Sequence, residues 1–147
     1  MHLDVPMEVA AAGNVPVDRL RKAGWRVRNA PAVTKSFDSY TKYIASSLGE
    51  FSVCKNVFVA TNSGWFSDRS AAYLASGRPV VMQDTGFRDH LPVGEGLFAV
   101  ATAEEAIAAI NEIKHNFSHH SKRARAIAEE HLDARKVLGA FLRELGI

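Results

Sequence analysis

The sequence holds one cysteine, Cys54, in 147 residues. No internal disulfide can form, so packing must hold the fold, and the chain fits a reducing compartment such as the cytoplasm. Long apolar runs are missing too: none approaches the roughly 18–20 residues of a membrane-spanning helix. The opening residues, MHLDVPMEVAAAG, lack the basic start and apolar core of a secretory signal. No charge of one sign dominates. The 18 Lys and Arg face 16 Asp and Glu, a net of +2, which argues against a protein that tracks nucleic-acid phosphates. The one basic cluster, Lys122-Arg123-Ala124-Arg125, is answered by Glu129 and Glu130 and reads as a solvated helix face.

Several signatures of chemistry are absent as well. No Gly-x-Gly-x-x-Gly follows a strand, so a nicotinamide dehydrogenase is not expected. No Gly-x-Ser-x-Gly elbow presents a nucleophilic serine. An acidic cluster after the first strand, which a response-regulator domain would need, is missing. His115, His119 and His120 lie close in sequence. No carboxylate or cysteine completes a ligand set at metal spacing, so no metal site is expected. No internal repeat or low-complexity tract is present.

What is present is a core. Hydrophobic residues make up 47% of the chain, enough for one domain or one lobe of a larger protein. Residues 1–16, with Pro6, Gly13, Asn14 and Pro16, are the least patterned and read as an arm or a cut end; residues 17–147 read as the domain. A short helix over 17–22 is closed by Gly24. Strands are expected at 25–28, 51–54, 79–83 and 97–100, and residues 56–66 mostly as loop, with Val57-Phe58-Val59 able to pair briefly. Ser36 caps a helix carrying Phe37, Tyr40 and Ile44 at helical spacing. A short helix over 68–76 ends at Gly77. Thr102 and Glu105 form a capping box, Ser118 caps the next helix, and Asp133 caps the last, whose Val137, Leu138, Phe141, Leu142 and Leu145 share a face. Short apolar strands alternating with helices predict an α/β fold: a Rossmann-like parallel sheet with helices on both faces, in a single lobe. At least four strands are expected in that one sheet. Such sheets take ligands at the carboxyl ends of their strands. The loops 55–67 and 84–92 and the turn into Thr102 fall there.

The most informative stretch is SGWFSDRSAAYLASGRPVV, residues 63–81. A helix N-terminus carries unpaired N–H groups and a partial positive charge, and so attracts anions. Gly64 would let the backbone approach a bound group, and Ser67 would cap the helix or give its hydroxyl to a phosphate. Asp68 opposes an anion there. The plainer alternative is an N-cap at Ser67 or Asp68 and a core plug at Trp65-Phe66.

The segment resembles the C-terminal, donor-binding lobe of GT-B glycosyltransferases. Ala75-Ser76-Gly77-Arg78-Pro79-Val80-Val81 is similar to the family's small-residue helix, glycine and x-Pro-Val-Val strand. Met82-Gln83-Asp84-Thr85-Gly86-Phe87 resembles its sugar-proximal loop. Gly94-Glu95-Gly96-Leu97 with Thr102-Ala103-Glu104-Glu105-Ala106 resembles the closing strand and helix, and Glu50-Phe51-Ser52-Val53-Cys54-Lys55-Asn56 the strand and loop upstream. The resemblance implies a lobe that binds a nucleotide-diphosphate sugar, with no metal or other cofactor, as one half of an enzyme. An N-terminal acceptor-binding lobe would be missing, along with this lobe's own first strand and phosphate loop. It implies that the isolated chain transfers no sugar by itself.

Other residues near the strand ends are candidate contacts by their position. Lys55 is a point charge on the diphosphate or a solvated lysine. Arg69 would contact phosphate. Asp84 and Thr85, with Gly86, would face the sugar or simply form a turn. Glu50 would contact ribose or only precede its strand. The family's glutamate pair falls on Gly64 and Ala72, so no catalytic residue is assigned and the stereochemical outcome stays open. The alternative is a non-catalytic α/β module that binds a nucleotide or a partner.

Overall fold

The structure, a computed structural model, describes residue 3 and residues 5–146; positions 1, 2 and 4 of the expected arm, and position 147, lie outside the described residues. The chain is an α/β protein of Rossmann-like build. Strands β1 (Glu8–Ala11) and β2 (Arg26–Asn29), joined through α1 (Val17–Lys22), form a two-stranded parallel sheet. Helices α2 (Ala30–Val33) and α3 (Phe37–Ala45) lead to β3 (Glu50–Ser52). From β3 the chain runs through α4 (Asn56–Ala60) and α5 (Asp68–Ala75) to β4 (Val80–Gln83), then β5 (Leu97–Val100). These last three strands form a second parallel sheet in the order β3-β4-β5, with Glu50 opposite Val80 and Val80 opposite Leu97. Helices α6 (Ala103–His115), α7 (Phe117–His131) and α8 (Ala134–Glu144) follow.

β4 is the centre of the core. Its Val80, Val81 and Met82 are at most 1% exposed. Alternate side chains of a strand point to opposite faces. Val80 and Met82 pack with Leu74 of α5 and Ala124 and Ile127 of α7. Val81 packs on the other face with Ala106, Ile110 and Ile113 of α6. A strand covered on both faces reads as a continuous apolar run, and each such side chain contributes roughly 1.5–3 kcal/mol by its burial.

Local signals set the ends of the helices. Ser36 and Ser39 form a reciprocal capping box on α3, Thr102 Oγ1 accepts from the Glu105 amide, and Asp133 accepts from the Arg135 amide. Helix α5 stops at Gly77 (φ +65), where the Arg78 amide reaches back to the Tyr73 carbonyl at 2.9 Å, the pattern of a left-handed glycine stop.

Five expectations are corrected. The strands do not form one sheet of four or more: β1 and β2 stand apart from the other three, and both groups line a cavity of about 730 Å³. β1 itself falls within residues 1–16, where EVAA carries too little pattern to mark a strand. Residues 56–60 form a helix, because the Phe58 ring stacks on Trp65 at 4.8 Å and tertiary packing overrides the β-branched run. Helix α7 starts from Asn116, shared with the end of α6, and not from a Ser118 cap. Finally, the capping box at Thr102 is only half made: Thr102 Oγ1 accepts from the Glu105 amide, but the Glu105 carboxylate accepts from the Ala101 amide at 2.7 Å and not from that of Thr102.

A close backbone approach is made at Gly96, which leads into β5. Its φ is +76, its carbonyl accepts from Val80, and its amide donates to Nδ1 of the buried His120. A Cβ there would stand 2.4 Å from the Ala124 backbone nitrogen, whereas one at Gly94 (φ +103) would meet nothing within 4 Å. Gly96→Ala should therefore destabilise by about 3 kcal/mol, against about 1 kcal/mol for Gly94→Ala, which carries only the left-handed backbone cost. Urea denaturation of the two variants checks this; equal losses would mean that α7 yields to the added methyl.

Candidate functional site

Two of the loops at the carboxyl ends of the strands are fastened together. The Gly64 amide donates to the Thr85 carbonyl at 2.7 Å, and the Thr85 hydroxyl donates to the Trp65 carbonyl at 2.6 Å. Thr85 is fully buried, so its hydroxyl clips the loop after β4 to the entrance of α5 and does not face outward. Gly86 is favoured by its left-handed backbone (φ +95); a Cβ there would meet only the movable Asn62 side chain, at 2.6 Å. A Cβ at Gly64 would only just reach the His90 ring, at 3.8 Å. Trp65 and Phe66 are half-buried on the core, Phe66 edge-on to Phe87 at 5.4 Å. This is the plug arrangement.

Polar groups in these loops are largely satisfied by one another. At the start of α5 the Arg69 amide is shared by Ser67 Oγ (3.2 Å) and Asp68 Oδ1 (2.8 Å). Ser67 is a buried N-cap and Asp68 already supplies negative charge to the helix end. Asp84 accepts from the Gly86 amide at 3.0 Å and pairs with Arg88 at 2.5 Å. Lys55 is exposed at the start of α4, outside this set of bonds. The structure thus brings Gly64, Ser67 and the first turn of α5 (Asp68, Arg69) beside the loop of Asp84, Thr85 and Gly86, and leaves Lys55 at the margin.

Glu50 is joined to this region through Arg69. The Arg69 Nε donates to Glu50 Oε1 at 2.5 Å, and its Nη2 donates to Ser52 Oγ at 2.9 Å. Glu50 and Ser52, two apart on β3, share one face of the sheet. The Glu50 side chain is 5% exposed and the Arg69 side chain about half exposed. Burial works against the charge on Arg69; the hydrogen bond and charge of Glu50, with Tyr40 and Tyr73 behind them, outweigh it and hold Arg69 above the usual arginine range. Burial pushes up the Tyr40 and Tyr73 hydroxyls and the Cys54 thiol, so Cys54 is no activated thiolate. The Glu50 Oε2 atom is buried and has no hydrogen-bond partner among the described residues. The Glu50–Arg69 pairing is not expected from the sequence; its local signals are the i, i+2 spacing of Glu50 and Ser52 on one strand face and an arginine in the first turn of α5.

Among the described residues, no group of three or more His, Cys, Asp or Glu side chains is arranged to hold a metal ion. No described helix is long and apolar enough to cross a membrane. No protein-family model matches the chain, and neither a curated protein nor a solved structure matches it.

The asymmetry of the Glu50–Arg69 pair is measurable. Arg69→Leu leaves a buried carboxylate without its cation and should cost about 2 kcal/mol, below the ~3–5 kcal/mol of fully buried pairs because the Arg69 side chain is half in water. Glu50→Gln keeps an acceptor and should cost about 1 kcal/mol. The double variant Glu50→Leu/Arg69→Leu should be no less stable than Arg69→Leu alone. Additive losses in urea titrations would show that the two side chains are not coupled.

Proposed function

We propose that the chain is the nucleotide-sugar binding lobe of a GT-B-like glycosyltransferase, with the diphosphate over the entrance of α5 and the sugar toward the loop after β4. The observation that carries the proposal is the clip between Gly64 and Thr85. It holds the helix entrance and the Asp84–Gly86 turn side by side at the strand ends, where open parallel sheets take their ligands. The partial positive charge of α5 and the exposed part of Arg69 would offset charge on a departing nucleoside diphosphate, which is electrostatic stabilisation of the leaving group. An acceptor held opposite the donor would come from a second lobe, and positioning of two reactants supplies roughly 7–11 kcal/mol of such a barrier. On this reading the 147 residues alone bind nucleotide weakly and transfer nothing.

A second reading, a non-catalytic α/β binding module, is favoured by one specific observation. Asp84 is committed to Arg88 and Gly86, and Asp68 to the Arg69 amide, so the loops carry few polar groups free for a sugar. The resemblance's glutamate pair, replaced by Gly64 and Ala72, points the same way.

Thermal denaturation with uridine, adenosine and guanosine diphosphates tests the diphosphate site that the first reading requires. A diphosphate that binds only the folded chain, at ten times its dissociation constant, stabilises by about 1.4 kcal/mol and should raise the Tm by roughly 3–6 °C. Ser67→Ala should weaken the diphosphate more than the bare nucleoside. Equal loss for both would remove the phosphate role. No shift with any diphosphate, together with binding of a protein partner, would favour the module.

A further inference from the structure

The cavity of about 730 Å³ between the two sheets has an unusual wall. Glu8, Val9 and Ala10 of β1 line it in succession, and so do Glu50 and Phe51 of β3. Neighbouring side chains of a strand point to opposite faces, so consecutive residues line one cavity when the strand's backbone edge faces it. Among the described residues, β1 pairs only with β2, and β3 only with β4. Two unpaired edges, each a row of free N–H and C=O groups, therefore border one space. The Glu50 carboxylate lines the same space, nearly fully buried, with Oε1 held by Arg69 and Oε2 unpartnered among the described residues. Val81, Ile110 and Ile113 give the space an apolar wall on the other face of the sheet.

We propose that an extended polypeptide segment from outside these 147 residues inserts between β1 and β3 as a strand, hydrogen-bonded to both, and joins the two sheets into one. The resulting order, β2-β1-insert-β3-β4-β5, is that of a doubly wound sheet counted from the inserted strand. The occupant's chemistry follows from the walls. Side chains turned toward α6 are apolar, to meet Ile110 and Ile113. Those turned the other way include a hydroxyl or N–H donor for Glu50 Oε2. A small organic molecule would leave both backbone edges unpaired, and a buried backbone group without a partner is costly. An inserted strand satisfies both edges and the carboxylate together. The gap exists whatever the loops at the strand ends bind.

The test is amide hydrogen exchange, read by NMR on the whole chain, with a capped heptapeptide of alternating valine and threonine between terminal lysines. The peptide should slow exchange at the free-edge amides of Glu8–Ala11 and Glu50–Ser52 about tenfold or more. The same peptide N-methylated at its central residues should have no effect, because every amide of a strand flanked on both sides is needed. Equal protection by the N-methylated peptide would make the cavity a side-chain pocket and overturn the proposal. Protection without peptide that grows with protein concentration would assign the gap to a second copy and overturn it too. So would the absence of protection at either edge.

Discussion

The structure depends on β4 being covered on both faces. Val80 and Met82 need α5 and α7, and Val81 needs α6. Once those three helices are seated, the carboxyl end of β4 is fixed, and with it the turn at Asp84–Gly86. The same constraint fixes the entrance of α5, because Leu74 and Tyr73 hold that helix against the sheet. The Gly64–Thr85 bonds then join two loops whose roots are already immobile. A rigid scaffold that positions loops at strand ends is the usual way an α/β protein builds a site.

The polar interactions add a second layer. Ser67 caps α5, Asp68 and Asp84 are bonded within their loops, and Arg69 reaches down to Glu50 and Ser52. Arg69 thus connects the loop end of the molecule to the edge strand β3. Its half-exposed side chain is the charged group that serves both regions. A ligand drawing Arg69 toward the loops would take it from Glu50, whose second oxygen already lacks a partner among the described residues. Such a shift carries a penalty, since an unpaired buried carboxylate is expensive.

Much of the fold was legible because its signals are local. Gly77 after a small-residue helix, Pro79 before three apolar residues, and Ser36, Thr102 and Asp133 before helical patterns each name an end of an element, and each stands as expected. The failures are tertiary. Nothing local says that Val57-Phe58-Val59 will coil to stack Phe58 on Trp65, or that Glu8–Ala11 will pair with Arg26–Asn29. Thr85 looked like a ligand contact because it follows a strand; its burial and its bond to Trp65 come from a loop twenty residues away. The apolar stripe of α8 was legible as a stripe, but periodicity does not say what covers it, and no described residue of α8 is buried.

The proposed ligand site is the pair of joined loops at the carboxyl ends of the strands. Backbone amide chemical shifts recorded while uridine diphosphate is added are its sharpest test. The largest changes should fall on Gly64, Ser67, Asp68, Arg69 and Asp84–Gly86, with smaller ones at Glu50 through Arg69. Changes confined to Glu8–Ala11 and the cavity, or spread evenly over the surface, would contradict it.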